Sequence, residues 1–322
     1  YFAAVVLGAM MDASSDPAVI WQPDTWWEST GREETAILLA GDRNDAHGVA
    51  RWIAQAQPHL ALELLSQPDF ALDLEKLDAD TRAALIAGAH GKTNTANPSG
   101  RAAAYRVLGK FDADNRLGIG LGSNGLPAID WVTIPEGTFV YQDDQRKVLP
   151  SFQISRYLIT YKQYQAFIDA PDGWSNPEWW EGLGTGNNHS EQAGEQAFKY
   201  WNHPRENVSW YDAVAFCRWL SMKLGYAIML PSEKQYERAV RWTDGRIYPW
   251  GNEYLSGYAN VDEVNTSAGT NYLGQTSAVG IYPHGVSVEG IHDLSGNVWE
   301  WCLNIYEQPE DTGLSGTDSR VL

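Results

Sequence analysis

The chain has 322 residues, of which 43% are hydrophobic, and this is enough for the cores of about two ordinary domains. Asp and Glu together number 41 and Lys and Arg 23, which gives a formal net charge of −18. A protein that binds nucleic acid needs a basic surface, so this balance excludes nucleic acid as a partner. No apolar run has the length of a membrane span, and we therefore expect no membrane insertion.

The first part of the chain, to about residue 110, carries apolar side chains at the three- and four-residue spacing of amphipathic helices. The segments with this spacing are 2–11, 34–39, 46–56, 60–65, 82–89 and 101–111. Prolines such as Pro17 and Pro58 separate them, and Ser99 is a candidate N-cap of the last helix. The pattern predicts an all-helical domain over 1–125, built as a bundle or as a helical-repeat arm.

A glycine-rich joint at 118–125 precedes a change in composition. Short strands are predicted at 131–134, 138–140 and 152–155, and helices at 160–170, 209–225 and 232–242. Ser209 and Ser232 stand at N-cap positions, Gln235 completes a capping box with Ser232, and Gly225 is a stop signal. We therefore predict an α+β domain over 126–322 with short strands, helices and much irregular loop.

Several short patterns suggest a catalytic or metal site but do not meet its requirements. Ile86 stands where a P-loop ending at Gly91-Lys92 needs its first glycine. Arg116 stands where the acidic turn at 112–116 would need a third oxygen ligand for calcium. The histidines form no zinc-binding pair of the His-Glu-x-x-His kind. The sequence therefore predicts no catalytic residue.

Cys217 and Cys302 are the only cysteines. Two cysteines do not make a disulfide scaffold, although these two could form a pair. Buried thiols in a reducing compartment are the better interpretation, and we assign the protein to the cytoplasm.

Six motifs follow one another in a fixed order after the glycine-rich joint. They occupy 131–139, 157–164, 203–219, 229–239, 248–252 and 293–301, and the last reads Asp-Leu-Ser-Gly-Asn-Val-Trp-Glu-Trp. In this order they resemble the formylglycine-generating enzymes, or sulfatase-modifying factors, which form a branch of the C-type lectin fold. Chance agreement of six ordered motifs is far less common than a match to one. The resemblance implies a C-type lectin-like arrangement for 126–322.

Enzymes of that family bind structural calcium, and the resemblance implies two calcium sites here. The first would use Asp293, Glu300 and the backbone carbonyls of Gly296 and Val298. The second would use Asn260, the carbonyl of Val261, Asn271 and the carbonyl of Leu273. Calcium prefers six to eight hard oxygen ligands, which carboxylates and carbonyls supply. Asn271 stands where relatives carry Asp, so the second site has one negative charge fewer.

The resemblance also implies how the family's enzymes oxidise their substrates. They bind copper with a cysteine pair that follows an Arg-Gly-Gly-Ser-type segment, and soft thiolates suit Cu(I). The printed sequence stops at residue 322, where that segment would begin, so we expect the domain to be C-terminally incomplete. Neither Cys217 nor Cys302 is in the place of the pair, and we therefore expect no enzyme.

A recognition module for a protein ligand is the interpretation that these features favour. Variable proteins of diversity-generating retroelements use the same fold for ligand binding. The helical half, with Trp26-Trp27 and the Ala-rich segment 100–109, resembles the C-terminal region of STAND or NACHT-type ATPases, which place a sensor after such helices. Two alternatives remain: a truncated copper oxidase that acts on a cysteine of a protein substrate, and a purely structural arm.

Overall fold

The computed structural model of the chain describes residues 2–70, 73–142, 145–183 and 192–322. These residues fall into two compact units, Tyr1–Asp114 and Asn115–Leu322. The first contains helices, and the second combines helices with small antiparallel sheets, so the chain is of the mixed α and β class that the sequence predicts. No helix among these residues is both long enough and apolar enough to cross a membrane.

The N-terminal unit is built from consecutive helices joined by short turns. They are α1 (Phe2–Asp12), α2 (Glu33–Arg43), α3 (Ala46–Ala54), α4 (Pro58–Leu65), α5 (Ala79–His90) and α6 (Pro98–Lys110). Side chains cap several of them: Asp45 accepts from the amide of Gly48 in α3, and Asp78 accepts from that of Thr81 in α5. Each cap satisfies an amide that has no partner within the helix.

The last helix of this unit begins before the position that the sequence suggested. Asn97, not Ser99, is the N-cap of α6, and its side chain accepts from the amide of Ser99. Pro98 takes the first helical position, where its missing N–H costs nothing and its fixed φ suits the helix. The predicted cap at Ser99 is therefore wrong by two residues.

The core of the N-terminal unit consists of large side chains with almost no exposed surface. They include Trp21, Leu39, Ile53, Leu64, Leu65, Leu85 and Leu108. Trp21 lies edge-on to Trp52, with ring centroids 6.4 Å apart, and the Trp52 indole donates to the carbonyl of Ser15 at 2.8 Å. An aromatic pair of this kind adds to the area that each ring buries.

The C-terminal unit contains two small sheets. Its strands are β1 (Trp131–Ile134), β2 (Gly137–Tyr141), β3 (Gln145–Leu149) and β4 (Phe152–Ser155). β1 pairs with β4 and β2 pairs with β3, both antiparallel. Three of these strands confirm the predicted segments, whereas β3 was not predicted, because its sequence Gln-Arg-Lys-Val-Leu is mostly polar.

Four helices of this unit follow the sheets, namely α7 (Tyr161–Asp169), α8 (Trp210–Leu224), α9 (Glu233–Arg241) and α10 (Glu263–Thr266). The predicted caps of α8 and α9 are confirmed. Ser209 and Ser232 each form a capping box, with Asp212 and Gln235 respectively, and Gly225 ends α8 at φ 77°. That positive φ suits glycine because it has no Cβ to clash.

An aromatic cluster joins α7 and α8 and forms the main core of the C-terminal unit. Phe167 lies at its centre, fully buried, with ring centroids 5.3 Å from Trp219 and 5.9 Å from Trp174, Trp180 and Phe216. This unit is therefore built around a core of aromatic side chains and not around a large sheet.

We expect Phe167→Ala to destabilise the protein by about 3–5 kcal/mol, because it removes a buried ring and leaves a cavity that the neighbouring indoles cannot fill. Chemical denaturation of the purified chain measures this. The control is Met222→Ala on α8, whose side chain is 56% exposed and should cost no more than about 0.5 kcal/mol. Equal losses for the two variants would contradict the central place of Phe167.

Candidate functional site

A large cavity of about 1000 Å³ opens in the C-terminal unit. Its walls are formed by 151–155 with the segment after it, by one face of α8, by 226–231 and by 291–301. Most of the lining is apolar, and the volume is at the upper end of what ligand pockets reach.

Exposed aromatic and apolar side chains form the mouth of this cavity. Trp299 is 82% exposed, Met229 60% and Tyr226 48%, and all of them line the cavity. The Trp131 indole donates to the Tyr226 hydroxyl at 3.0 Å, and the two rings meet edge to face. Large exposed apolar groups beside a cavity are typical of a binding site.

The Trp-Glu-Trp motif borders the cavity but is a loop, not a strand. Trp299 points into solvent, whereas Trp301 is partly buried and donates from its indole to the carbonyl of Val208 at 2.9 Å. The motif therefore leaves the Trp299 ring exposed beside the cavity, whereas Trp301 holds the loop through its hydrogen bond.

Two carboxyl groups of the motif are shielded from water near the cavity. Burial raises the pKa of Asp293 to about 6, although the amide of Gly280 donates to its Oδ2 at 2.6 Å. Burial also raises the pKa of Glu300 to about 7; the hydroxyl of Tyr236 donates to its Oε1 at 2.9 Å, and the charge of Asp293 raises the pKa further. The structure thus brings both predicted acidic ligands of the first calcium site into one electrostatic neighbourhood.

One of the two backbone carbonyls predicted for that site already accepts a hydrogen bond within the chain. The carbonyl of Gly296 accepts from the amide of Val298 at 3.0 Å. Among the residues that the structure describes, no group of three or more His, Cys, Asp or Glu side chains could hold a metal ion. A cation here would depend on Asp293 and Glu300 together with backbone oxygens such as the Val298 carbonyl.

The residues of the second predicted calcium site lie around another carboxylate, Glu263. Asn271 donates from its side chain to Glu263 Oε2 at 3.1 Å, and the carbonyl of Val261 accepts from the Glu263 amide at 3.1 Å. Asn260 instead donates to the carbonyl of Gln275 at 3.0 Å. Leu273 is partly buried in the same loop.

Glu263 is a residue that the sequence reasoning missed. Its side chain is fully buried, and it accepts hydrogen bonds from Tyr254, Ser256, the Gly257 amide and Asn271. Burial alone would raise the pKa, but these donors lower it to about 2. The only sequence signal was an acidic pair, Asp262-Glu263, in a polar loop.

Glu263→Gln should destabilise the protein by about 1.5–3 kcal/mol at neutral pH, because an amide replaces a hydrogen-bonded anion. The folded pKa lies below the ordinary 4.5, so the stabilisation from this carboxylate is complete above pH 4.5 and is lost as the pH falls towards 2. The difference between wild type and variant should therefore shrink over that range in thermal unfolding. Glu253→Gln, at an exposed position in the same loop, is the control; a pH-independent difference would contradict the assignment.

Both cysteines are free and buried, as the sequence predicts. Burial raises the pKa of the Cys217 thiol and of the Cys302 thiol to about 12 each. Cys217 packs in the aromatic core on α8, Cys302 follows the Trp-Glu-Trp motif, and among the described residues neither belongs to a group of three or more potential metal ligands. Cys217 and Cys302 therefore do not fit the copper-binding pair of the family.

Comparison with known proteins agrees with the order of motifs. The family model described as "Sulfatase-modifying factor enzyme 1-like domain" matches residues 123–322. The chain is 30% identical over 181 residues to hercynine oxygenase of Mycobacterium tuberculosis, covering 48% of this chain and 38% of the relative. It is 28% identical to formylglycine-generating enzyme of Thermomonospora curvata, and the match covers 54% of this chain and 70% of the relative. It is 35% identical to the mouse "Inactive C-alpha-formylglycine-generating enzyme 2", and that match covers 37% of this chain and 36% of the relative.

The chain spans between 38% and 45% of the length of the hercynine oxygenases that it matches. Hercynine oxygenase and formylglycine-generating enzyme are names of enzymes, so the expectation that this chain is no enzyme is wrong. That expectation was based on the positions of Cys217 and Cys302 and not on the family resemblance of the whole domain. Because the family model covers more than half of its residues, the chain belongs to the sulfatase-modifying factor enzyme 1-like domain family.

Proposed function

We propose that the C-terminal unit is the substrate-binding part of an oxygen-dependent oxidase of the formylglycine-generating type, acting on a cysteine of a protein or peptide substrate. The observation that carries the proposal is the cavity at the Trp-Glu-Trp motif, with exposed Trp299 at its mouth. The family assignment and the names of two relatives support an oxidative reaction.

The shape and lining of the cavity favour a peptide over a small polar molecule. A cavity of about 1000 Å³ exceeds what a single amino acid fills, and its exposed mouth leaves room for a chain to enter and leave. Trp299, Met229 and Tyr226 offer apolar area to side chains on either side of a reacting cysteine.

The oxidising centre is not assigned to residues of this chain. Cys217 and Cys302 belong to no cluster of potential metal ligands among the described residues, and we derive no reaction step through copper. The tryptophans at the cavity wall can position a substrate, which is the task that this unit is proposed to perform.

The test measures turnover with the complete gene product and binding with this chain. We expect the protein with copper, oxygen and a synthetic cysteine peptide to form a carbonyl product by mass spectrometry, and hercynine with the same additions to remain unchanged. Trp299→Ala should raise KM for the peptide about tenfold or more, the equivalent of about 1.4 kcal/mol. Tyr306→Ala is the control, because Tyr306 is an aromatic that is 65% exposed and does not line the cavity. Turnover of hercynine but not of the peptide would contradict the proposed substrate.

We also propose that calcium binds at Asp293 and Glu300. Their carboxyl groups are shielded from water, and a divalent cation would offset the cost of keeping both charged there. At the second predicted site, the hydrogen bonds of Glu263 supply the organisation that a cation would give, so we propose no ion there.

Calcium should raise the melting temperature of the chain, and excess chelator should lower it, by mass action on the folded state. Asp293→Asn should abolish the calcium response, whereas Glu263→Gln should lower the melting temperature without removing that response. Differential scanning fluorimetry measures both. An Asp293→Asn protein that still responds to calcium would place the ion elsewhere.

The finer parts of the sequence interpretation stay predictions. The C-type lectin-like arrangement fits the small sheets and the loop-rich unit. None of the relatives named above is a retroelement variable protein or a STAND-type ATPase, so these comparisons support neither role for this chain. The cytoplasmic location and the protein partner likewise await experiment.

A further inference from the structure

One peptide group, between Val279 and Gly280, joins two charged side chains that come from distant parts of the C-terminal unit. Its carbonyl, on Val279, accepts from Nη1 of Arg116 at 2.7 Å. Its N–H, on Gly280, donates to Oδ2 of Asp293 at 2.6 Å. Arg116 lies near the start of the unit and Asp293 begins the last of the six motifs, so this peptide connects the first segment of the unit with the candidate site.

Both of these hydrogen bonds have a charged partner, and each strengthens the other. A guanidinium at the carbonyl draws electron density towards the oxygen, which makes the N–H of the same peptide a stronger donor. Hydrogen bonds linked in this way polarise one another, most of all where water is excluded. Shielding from water raises the pKa of Asp293, and the Gly280 amide and the charge of Arg116 both lower it. Arg116 therefore acts on Asp293 through a bond that also fixes where the carboxylate lies.

The fold leaves just enough room for this peptide to lie between its partners. Gly280 has a φ of 72°, and a Cβ atom there would lie 2.3 Å from the ring of Tyr157 and 3.3 Å from Nη1 of Arg116. A larger residue would push the peptide away from the guanidinium. The Arg116 guanidinium also lies over the Tyr157 ring, 5.9 Å from its centroid. The glycine and the ring together allow the guanidinium to reach the carbonyl.

We propose that Arg116 is a positioning residue for Asp293, which it holds in place through the Val279–Gly280 peptide. In this the inference rests on the proposed calcium site, where Asp293 is a ligand. A ligand oxygen that is held in place before the ion arrives loses less freedom on binding, and the affinity is higher for it. In this scheme Arg116 does not bind the ion and acts only through the peptide.

Calcium affinity separates this role from a simple effect of charge. A positive charge repels a cation, so loss of Arg116 would strengthen calcium binding if its charge were all that mattered. Loss of its hydrogen bond releases Asp293 instead, and we expect Arg116→Met to bind calcium about tenfold more weakly than wild type in isothermal titration calorimetry. Arg116→Lys keeps a charged donor and should recover most of that affinity. Equal or tighter binding of calcium by Arg116→Met would overturn the proposal.

A matched control and a second variant complete this experiment. Arg146→Met removes an exposed arginine of β3 in the same unit and should bind calcium as wild type does. An equal loss of affinity in Arg146→Met would assign the effect to the net charge of the protein and overturn the positioning role. Arg116→Gln, which is shorter and uncharged, replaces Arg116→Met if that variant does not fold.

Hydrogen exchange of the Gly280 amide tests the two hydrogen bonds without calcium. We expect this amide to exchange about tenfold faster or more in Arg116→Met, and at a rate near that of wild type in Arg116→Lys and Arg146→Met. The Ser277 amide, which donates to Asn297 at 2.8 Å, is the reference within the same loop. Equal acceleration of both amides would indicate a general loss of structure and overturn the specific role of Arg116.

The outcomes separate this inference from the proposed calcium site. If wild type binds no calcium while Gly280 exchanges faster in Arg116→Met, the calcium site is overturned and the hold of Arg116 on Asp293 is supported. If wild type and Arg116→Met bind calcium equally and the exchange of Gly280 is unchanged, the calcium site is supported and the positioning role is overturned.

Discussion

The C-terminal unit depends on one constraint: the backbone amides and carbonyls of its long loops need hydrogen-bond partners, and side chains supply many of them. Its sheets are two-stranded, so most loop amides and carbonyls cannot find partners in a ladder, and leaving them buried without partners would cost free energy at each one. Gln163 donates to the carbonyls of Gly118 and Ala128 at 3.0 and 2.8 Å. Asn297 donates to the Ser277 carbonyl and accepts from the Ser277 amide. Side chains here replace the regular hydrogen bonding of a larger sheet.

The same constraint explains why three carboxylates of one unit behave so differently. Glu263 is surrounded by donors and has a pKa of about 2, whereas Asp293 and Glu300 have few donors and pKa values of about 6 and 7. Burial acts in the same direction on all three, and the number of hydrogen-bond donors decides the sign of the shift. Glu263 is thus held as an anion by four neighbouring residues, whereas Asp293 and Glu300 accept fewer hydrogen bonds and their pKa values are raised.

Local signals predicted the helices better than they predicted the site. The capping boxes of α8 and α9 depend on residues three apart, and both could be read directly from the sequence. Among the described residues, strand β3 pairs only with β2; it lies largely exposed and has no apolar alternation, so it could not be recognised from the sequence. The importance of Glu263 depends on donors from 254–271, which only the folded loop brings together. The expectation that the chain is no enzyme was wrong for a different reason: it gave the two cysteines more weight than the six motifs.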